Sequence, residues 1–237
     1  MNILARKYSW AALMPLLFGA VLATAAPPGR ALLQYTNGAV SVQPHGTGSW
    51  VAAAANQRLN TSDNVWTDKD SRAELNVGTG LMQLNSQTSL TLVNVDRRTV
   101  QVRLNQGTLY LHVRHLFDGE IYEVDSSNSA FTLTKSGDYR FDVDPQTDTT
   151  TITVWKGEGS VTGDRPAVRV KGHEQVRLIG VAAASERHKD PKPDGFDEWC
   201  RVRNQREDHA YPRVYPYPYP YPPGVIVYGR PGPWYWR

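Results

Sequence analysis

The sequence predicts an all-β protein, in which one domain of many short strands, wound as a solenoid or a sandwich, is followed by one short helix and an extended tail. Apolar and polar residues alternate with a period of two over much of the stretch 32–179. Glycine, Asn-Gly and Asp-Gly turn signals interrupt this alternation at short intervals. No helical run separates the predicted strands, which argues against a parallel α/β sheet.

The N-terminal residues have the order of a secretory signal. Two basic residues precede an apolar run at about 10–22, and an A-x-A site follows at 23–25. We therefore expect residues 1–25 to be removed, and the mature chain to be periplasmic or secreted, without a transmembrane segment. The alternative is an uncleaved membrane anchor. A membrane span needs about 20 apolar residues, whereas this run is shorter and contains a proline and a glycine.

Charge and cysteine content argue against a nucleic-acid-binding protein and against a fold held by disulfides. The chain has 26 basic and 23 acidic residues, and removal of residues 1–25 leaves 24 against 23. A nucleic-acid surface needs a concentrated basic patch, and none is present, so we predict no nucleic-acid partner. Cys200 is the one cysteine, so the fold must be held by packing rather than by an internal disulfide.

The β domain is predicted over residues 32–180. In 100–104, 109–113 and 139–143 every second residue is apolar, so each strand has one buried face. Turns are predicted at several glycines, among them Gly107 and Gly137, where a Cβ would be unfavourable.

Composition changes after residue 180. Residues 181–193 are small, charged and proline-containing, which is typical of a linker. A short amphipathic helix is predicted over 194–209, with Asp194 as its N-cap. Phe196 and Trp199 are expected to lie on the β domain, with the other helix face in solvent. The aromatic and proline-rich tail, 210–237, follows.

A search for chemistry finds no active site. His112 and His115 are three residues apart in a predicted strand, so they point to opposite faces and cannot share a metal. Asp142 and Asp144 have a faint likeness to a calcium loop, but the glycine and glutamate of the EF-hand are absent, and a turn with Asp before Pro explains them. The glycines of 157–163 precede a strand pattern rather than a helix, so they are no phosphate loop. We predict a protein that is not an enzyme and has no metal or other cofactor.

One stretch carries a family resemblance. Residues 58–84, RLNTSDNVWTDKDSRAELNVGTGLMQL, resemble the opening of the FecR-like domain, and the likeness extends over about 33–179. Residues 193–208, PDGFDEWCRVRNQRED, look like exported FecR-domain proteins in which a Phe-Asp-x-Trp helix and an aromatic C-terminal region of unknown role follow the domain.

The resemblance implies a small all-β domain that acts outside the cytoplasm as a sensing or interaction module and has no catalytic residues. In its first matching strand, Ala73 and Leu75 would face the core, while Arg72 and Glu74 would face water. Iron-citrate sensors of the family carry a cytoplasmic sigma-factor-binding domain before a membrane span. Only nine residues precede the apolar run of this chain, so we expect no such domain.

Three functional hypotheses follow. The first is a non-enzymatic exported binding or scaffold protein, whose partner is an unidentified envelope protein or glycan. The alternative is a regulatory or sensing module in envelope signalling, related to the iron-citrate sensors but without its own sigma-factor-binding domain. A third is an envelope hydrolase, for which Asp142, Asp144 and Glu123 would be the candidate catalytic acids.

The tail supplies the candidate contact residues. Residues 215–224, YPYPYPYPPG, favour a polyproline II spacer of about 3.1 Å per residue, in which successive tyrosines point in different directions. Contact with a partner is therefore predicted beyond the repeat, unless that end folds back on the β domain as an edge strand. The candidate partner-contact residues are Tyr228, Arg230, Trp234, Tyr235 and Trp236.

Overall fold

The structure is a computed structural model that describes residues 31–163, 166–180 and 185–210. In these ranges it contains seventeen strands and one helix, α1 (Gly195–Ala210). The strands are β1 (Ala31–Asn37), β2 (Val40–Gln43), β3 (Val51–Ala52), β4 (Gln57–Leu59), β5 (Asn64–Thr67), β6 (Arg72–Val77), β7 (Gly80–Leu84), β8 (Thr88–Val95), β9 (Thr99–Val113), β10 (Ile121–Asp125), β11 (Ala130–Leu133), β12 (Gly137–Asp144), β13 (Thr149–Lys156), β14 (Glu158–Thr162), β15 (Val168–Lys171), β16 (Glu174–Ile179) and β17 (Ser185–Lys189). The predicted all-β class with one short helix is confirmed.

The strands form two sheets, and the strand order within each sheet largely follows the order of the chain. Sheet A has the order β4, β1, β6, β7, β9, β12, β13, β16, β17. Sheet B has the order β3, β2, β5, β8, β9, β10, β11, β14, β15. From β10 onward, successive hairpins alternate between the two sheets, which is a solenoid-like winding. Within the described ranges β9 and β10 are the one parallel pair.

Strand β9 belongs to both sheets because it bends at Gly107. Its first half pairs with β8 in sheet B, and its second half pairs with β7 and β12 in sheet A. The turn predicted at Gly107 is therefore wrong, because the strand continues through it. Gly107 has φ +88°, and a Cβ there would lie 2.6 Å from the Cα of Thr88. The bend needs both the positive φ and the close approach, so it requires glycine.

The core lies between the two sheets. In β12 the buried residues Tyr139, Phe141 and Val143 alternate with more exposed polar residues, as the period-two pattern predicts. Phe131 of sheet B packs against Tyr139 and Phe141 of sheet A, with ring centroids 5.8 Å and 5.5 Å apart. These aromatic contacts join the sheets in one continuous apolar cluster.

The structure differs from the predicted linker at 181–193. Strand β17 lies inside that segment and pairs with β16 along Glu174–Leu178. Its sequence SERHK is strongly polar, which hides the strand from a pattern search but suits a solvated sheet edge. The predicted signal peptide, 1–25, and residues 211–237 of the predicted tail lie outside the described residues.

Candidate functional site

Helix α1 lies on the outer face of sheet A, and Asp194 fixes where it begins. The Asp194 Oδ1 atom accepts hydrogen bonds from the backbone N–H groups of Phe196 (2.8 Å) and Asp197 (3.0 Å). In return the Asp197 Oδ2 atom accepts a bond from the Asp194 N–H at 2.8 Å. This reciprocal pair is a capping box, so the predicted N-cap at Asp194 is confirmed.

A small apolar contact anchors the helix. Phe196 and Cys200 are buried against Tyr110 of β9, with Trp155 and Trp199 at the margin. The predicted contact of Phe196 and Trp199 with the β domain is present. Burial is the main reason that the pKa of the Cys200 thiol lies well above its ordinary value, so the thiol is neutral and unreactive while the helix is docked.

A buried carboxylate lies at the centre of the interface. Glu74 of β6 is fully buried and binds Arg203 of α1 in a bidentate pair, with N–O distances of 2.8 Å and 3.0 Å. Gln34 and Gln83 also donate to Glu74, and Gln83 donates to Asn204 of α1 at 2.7 Å. Burial alone would raise the pKa of Glu74, but these donors outweigh it and hold the pKa below its usual range. The expectation that Glu74 faces water is wrong, because α1 covers its side of the strand.

A second charge cluster joins the start of α1 to β12. The Arg140 guanidinium binds Asp142 of its own strand, and it binds Asp194 and Asp197 at 2.7 Å and 2.8 Å. Burial opposes ionisation of Asp194, but hydrogen bonds from the Asp197 N–H and from Arg140 lower its pKa to about 2. Burial instead raises the pKa of Asp197. The Asp194 carboxylate is thus more firmly ionised than the Asp197 carboxylate.

A third cluster joins the end of α1 to the same sheet. The His112 ring lies between Asp138 of β12 and Asp208 of α1, at 2.7 Å and 3.2 Å. Asp208 also accepts a hydrogen bond from Arg114 at 2.7 Å. Burial lowers the pKa of His112, but the two carboxylates outweigh it and raise the pKa above 6.5.

Aromatic rings and guanidinium groups alternate at the edge of the helix. Arg203 lies 4.0 Å from the centroid of the Tyr35 ring, and Arg72 lies 4.8 Å from that of Trp199. Trp199 in turn stacks on Phe196 with an interplanar angle of 15°. The helix is therefore held by charge pairs and cation–π contacts around a small apolar anchor.

Part of the sheets beneath this helix is similar to a known protein family. Residues 63–159 match the family described as FecR protein. We refer to this FecR-like part of the chain as the FecR domain. Among solved structures, the chain is similar in part to two crystal structures of a candidate anti-sigma factor from Parabacteroides distasonis ATCC 8503, with TM-scores of 0.48 and sequence identities of 11% and 10%. Each alignment covers 54% of this chain and 59% of the other. No curated protein matches the sequence.

Helix α1 comes from outside the matched region but covers the face of the FecR domain. Its partners Glu74, His112 and Arg140 all lie within residues 63–159, whereas α1 begins at Gly195. In the described part of the chain, α1 is the one helix, and it lacks the length and apolar content that a membrane span requires. This outer face with its docked helix is the candidate functional site.

The structure does not bring the other candidate residues together. Asp142 binds Arg140 on sheet A, while Glu123 lies on sheet B and binds Gln101 and Thr132. Asp144 accepts from the N–H of residue 146 and belongs to the turn after β12. Among the described residues no three His, Cys, Asp or Glu side chains are grouped as a metal site would need. All five predicted contact residues of the tail lie outside the described residues.

Sequence reasoning missed the polar half of the helix interface. The available signal was the helical spacing itself, because residues four, seven and eight positions after a buried helix residue such as Phe196 or Cys200 lie on the same helix face. That face includes Arg203, Asn204 and Asp208, which all contact sheet A.

Proposed function

We propose that this protein is a non-enzymatic regulatory module of envelope signalling, in which the FecR domain binds a protein partner. The observation that carries the proposal is the FecR match over residues 63–159. That match favours the regulatory hypothesis over a general scaffold, because the resemblance implies a sensing or interaction module.

The helix-covered face is compatible with this function. Its titratable side chains form ion pairs between α1 and sheet A, in the three clusters centred on Glu74, Arg140 and His112. Groups that bind each other in this way hold two elements together, whereas general acid–base catalysis needs groups that are free to meet a substrate.

We further propose that the chain is exported, with a signal peptide at 1–25 removed before Ala26, and that the tail contributes to partner contact. The contact residues remain those of the sequence prediction, of which Trp234, Tyr235 and Trp236 are the most concentrated aromatic set. The mass of the protein recovered from an envelope fraction tests the cleavage. A recovered protein that retains residues 1–25 would contradict it.

Gene deletion followed by transcript profiling tests the regulatory function. We expect deletion to change a limited and reproducible set of transcripts, and a wild-type copy to restore them. A copy lacking residues 2–25 should fail to restore them, since the module would not reach the envelope. A copy with Trp234, Tyr235 and Trp236 changed to Ala tests the tail separately. An unchanged transcript profile under growth and envelope stress would refute the proposed function.

A further inference from the structure

An open cleft lies beside α1, next to the ends of β1, β6 and β7 of sheet A. It has a volume of about 350 Å³, which lies within the roughly 300–1,000 Å³ of small-molecule sites. Tyr35, Arg72 and Trp199 line one part of it, and loop residues that include Asn85 and Ser86 line another.

Arg72 distinguishes this cleft from the rest of the interface. Arg203 and Arg140 each bind carboxylates, but within the described ranges Arg72 has no carboxylate within ion-pair distance. Its guanidinium is instead held 4.8 Å from the ring centroid of Trp199 and 5.6 Å from that of Phe196. Cation–π contacts position a guanidinium without using its N–H donors, so the donors stay available to an anion.

The other lining groups suit a ligand with many hydroxyls. Asn85 offers an amide donor and acceptor, Ser86 a hydroxyl, and Asp70 a carboxylate acceptor. Tyr35 and Trp199, both half-buried, add aromatic atoms to the same lining. Asp70 would disfavour a ligand that is only a compact anion, so the lining favours an anionic group carried on a polar ring.

We propose that this cleft binds a saccharide that carries a carboxylate group, with Arg72 as the anchor of that carboxylate. A guanidinium can bind a carboxylate through two parallel N–H···O bonds, which fixes both position and orientation. The inference goes beyond the proposed regulatory function and does not depend on it.

Calorimetric titration of the full-length protein tests the site, with D-glucuronate, D-glucose and inorganic phosphate as probes. We expect glucuronate to bind and to outcompete glucose, the neutral sugar of the same ring size. Arg72→Gln should weaken glucuronate binding at least about tenfold, because it removes a charge-assisted hydrogen-bond pair. Arg97→Gln, in the turn after β8, removes an exposed arginine that does not line the cleft and should leave binding unchanged.

A second variant separates ligand binding from helix docking, since Arg72 also contacts Trp199. Asn85→Asp adds a negative charge to the cleft, at a residue that makes no described side-chain hydrogen bond with α1. It should therefore weaken glucuronate binding. The near-ultraviolet circular dichroism, which reports on the packing of the aromatic residues, should stay unchanged. Equal binding of glucose and glucuronate, or full binding by Arg72→Gln, would overturn the proposal. Phosphate binding as tightly as glucuronate would show a bare anion site and would also overturn it.

Discussion

At the scale of single residues, the helix interface depends on one carboxylate that solvent cannot reach. Glu74 has no exposed surface, and its carboxylate is satisfied by Arg203 and two glutamine amides. A buried ion pair need not stabilise a fold by itself, because desolvation of the charges offsets their attraction. Loss of one partner is costly all the same, since the other remains as an unpaired charge.

Glu74→Gln should therefore destabilise the protein. The neutral amide cannot neutralise Arg203, whose partial exposure lets water relieve some of the loss. We expect the free energy of unfolding to fall by about 1–3 kcal/mol, as measured by urea denaturation at pH 7. The matched control is Glu198→Gln, which breaks an exposed pair with Arg201 on the same helix and should have little effect, well under about 1 kcal/mol. Equal effects of the two substitutions would contradict the assigned role of Glu74.

His112 should make the stability depend on pH. Its folded-state pKa is raised above 6.5, so its stabilisation is complete below pH 6.5 and is lost as pH rises through the folded-state pKa. The groups that face it are Asp138, Asp208 and Arg114. We expect the difference in unfolding free energy between wild type and His112→Gln to shrink from pH 5.5 to pH 9. His45→Gln changes an exposed loop histidine and should give no such trend. Parallel curves for wild type and His112→Gln would refute the prediction.

At the scale of secondary-structure elements, the bend of β9 connects the two sheets. A strand that passes from sheet B to sheet A must turn sharply without ending, and Gly107 makes this possible through a positive φ and direct contact with the backbone of β8. Gly119 also has a positive φ, but a Cβ there would meet nothing within 4 Å. Alanine substitutions at the two glycines therefore separate the free-energy cost of the backbone conformation from that of a steric clash.

Gly107→Ala should destabilise the protein far more than Gly119→Ala. The φ penalty is shared and amounts to about 1–2 kcal/mol, so Gly119→Ala should lose roughly this amount. At Gly107 the new Cβ would also overlap Thr88 and the carbonyl of Gln87, which forces the two strands apart and adds at least about 1–3 kcal/mol. Thermal unfolding of both variants measures the difference. Similar melting temperatures would show that β9 can shift to accept the methyl group.

The elements differ in how far the sequence predicts them. Alternation over 139–143 predicts the buried face of β12 because side-chain direction in a strand has a period of two. The same rule misplaces Glu74, since it separates inner from outer faces but does not say what covers the outer one. The covering residue Arg203 lies 129 positions after Glu74 in the chain. The charged side chains of α1 resemble those of a solvated helix, so they do not reveal this contact. The Gly107 bend is missed for a related reason, since a glycine between two alternating runs is equally typical of a turn.

At the scale of the whole molecule, two kinds of interface hold the chain together. The sheets share one continuous apolar core, whereas α1 adds only a small apolar anchor and relies on charge clusters. Local unfolding requires the least free energy where few apolar contacts must be broken. The helix should therefore undock from the FecR domain more readily than the two sheets separate.

Cys200 offers a direct measure of this undocking. It is the one cysteine of the chain, it is fully buried on the side of α1 that faces sheet A, and burial is the main cause of its raised thiol pKa. A disulfide reagent can therefore react only after the helix lifts, and the ratio of the labelling rate to that of a free thiol gives the opening free energy. We expect this value to lie below the global free energy of unfolding. Glu74→Gln should accelerate labelling by a factor of about 5–150, because it weakens the docked state by about 1–3 kcal/mol. Glu198→Gln should leave the rate unchanged. An opening free energy equal to that of global unfolding would instead show that helix and sheets unfold as one cooperative unit, in which the charge clusters bind as firmly as the core.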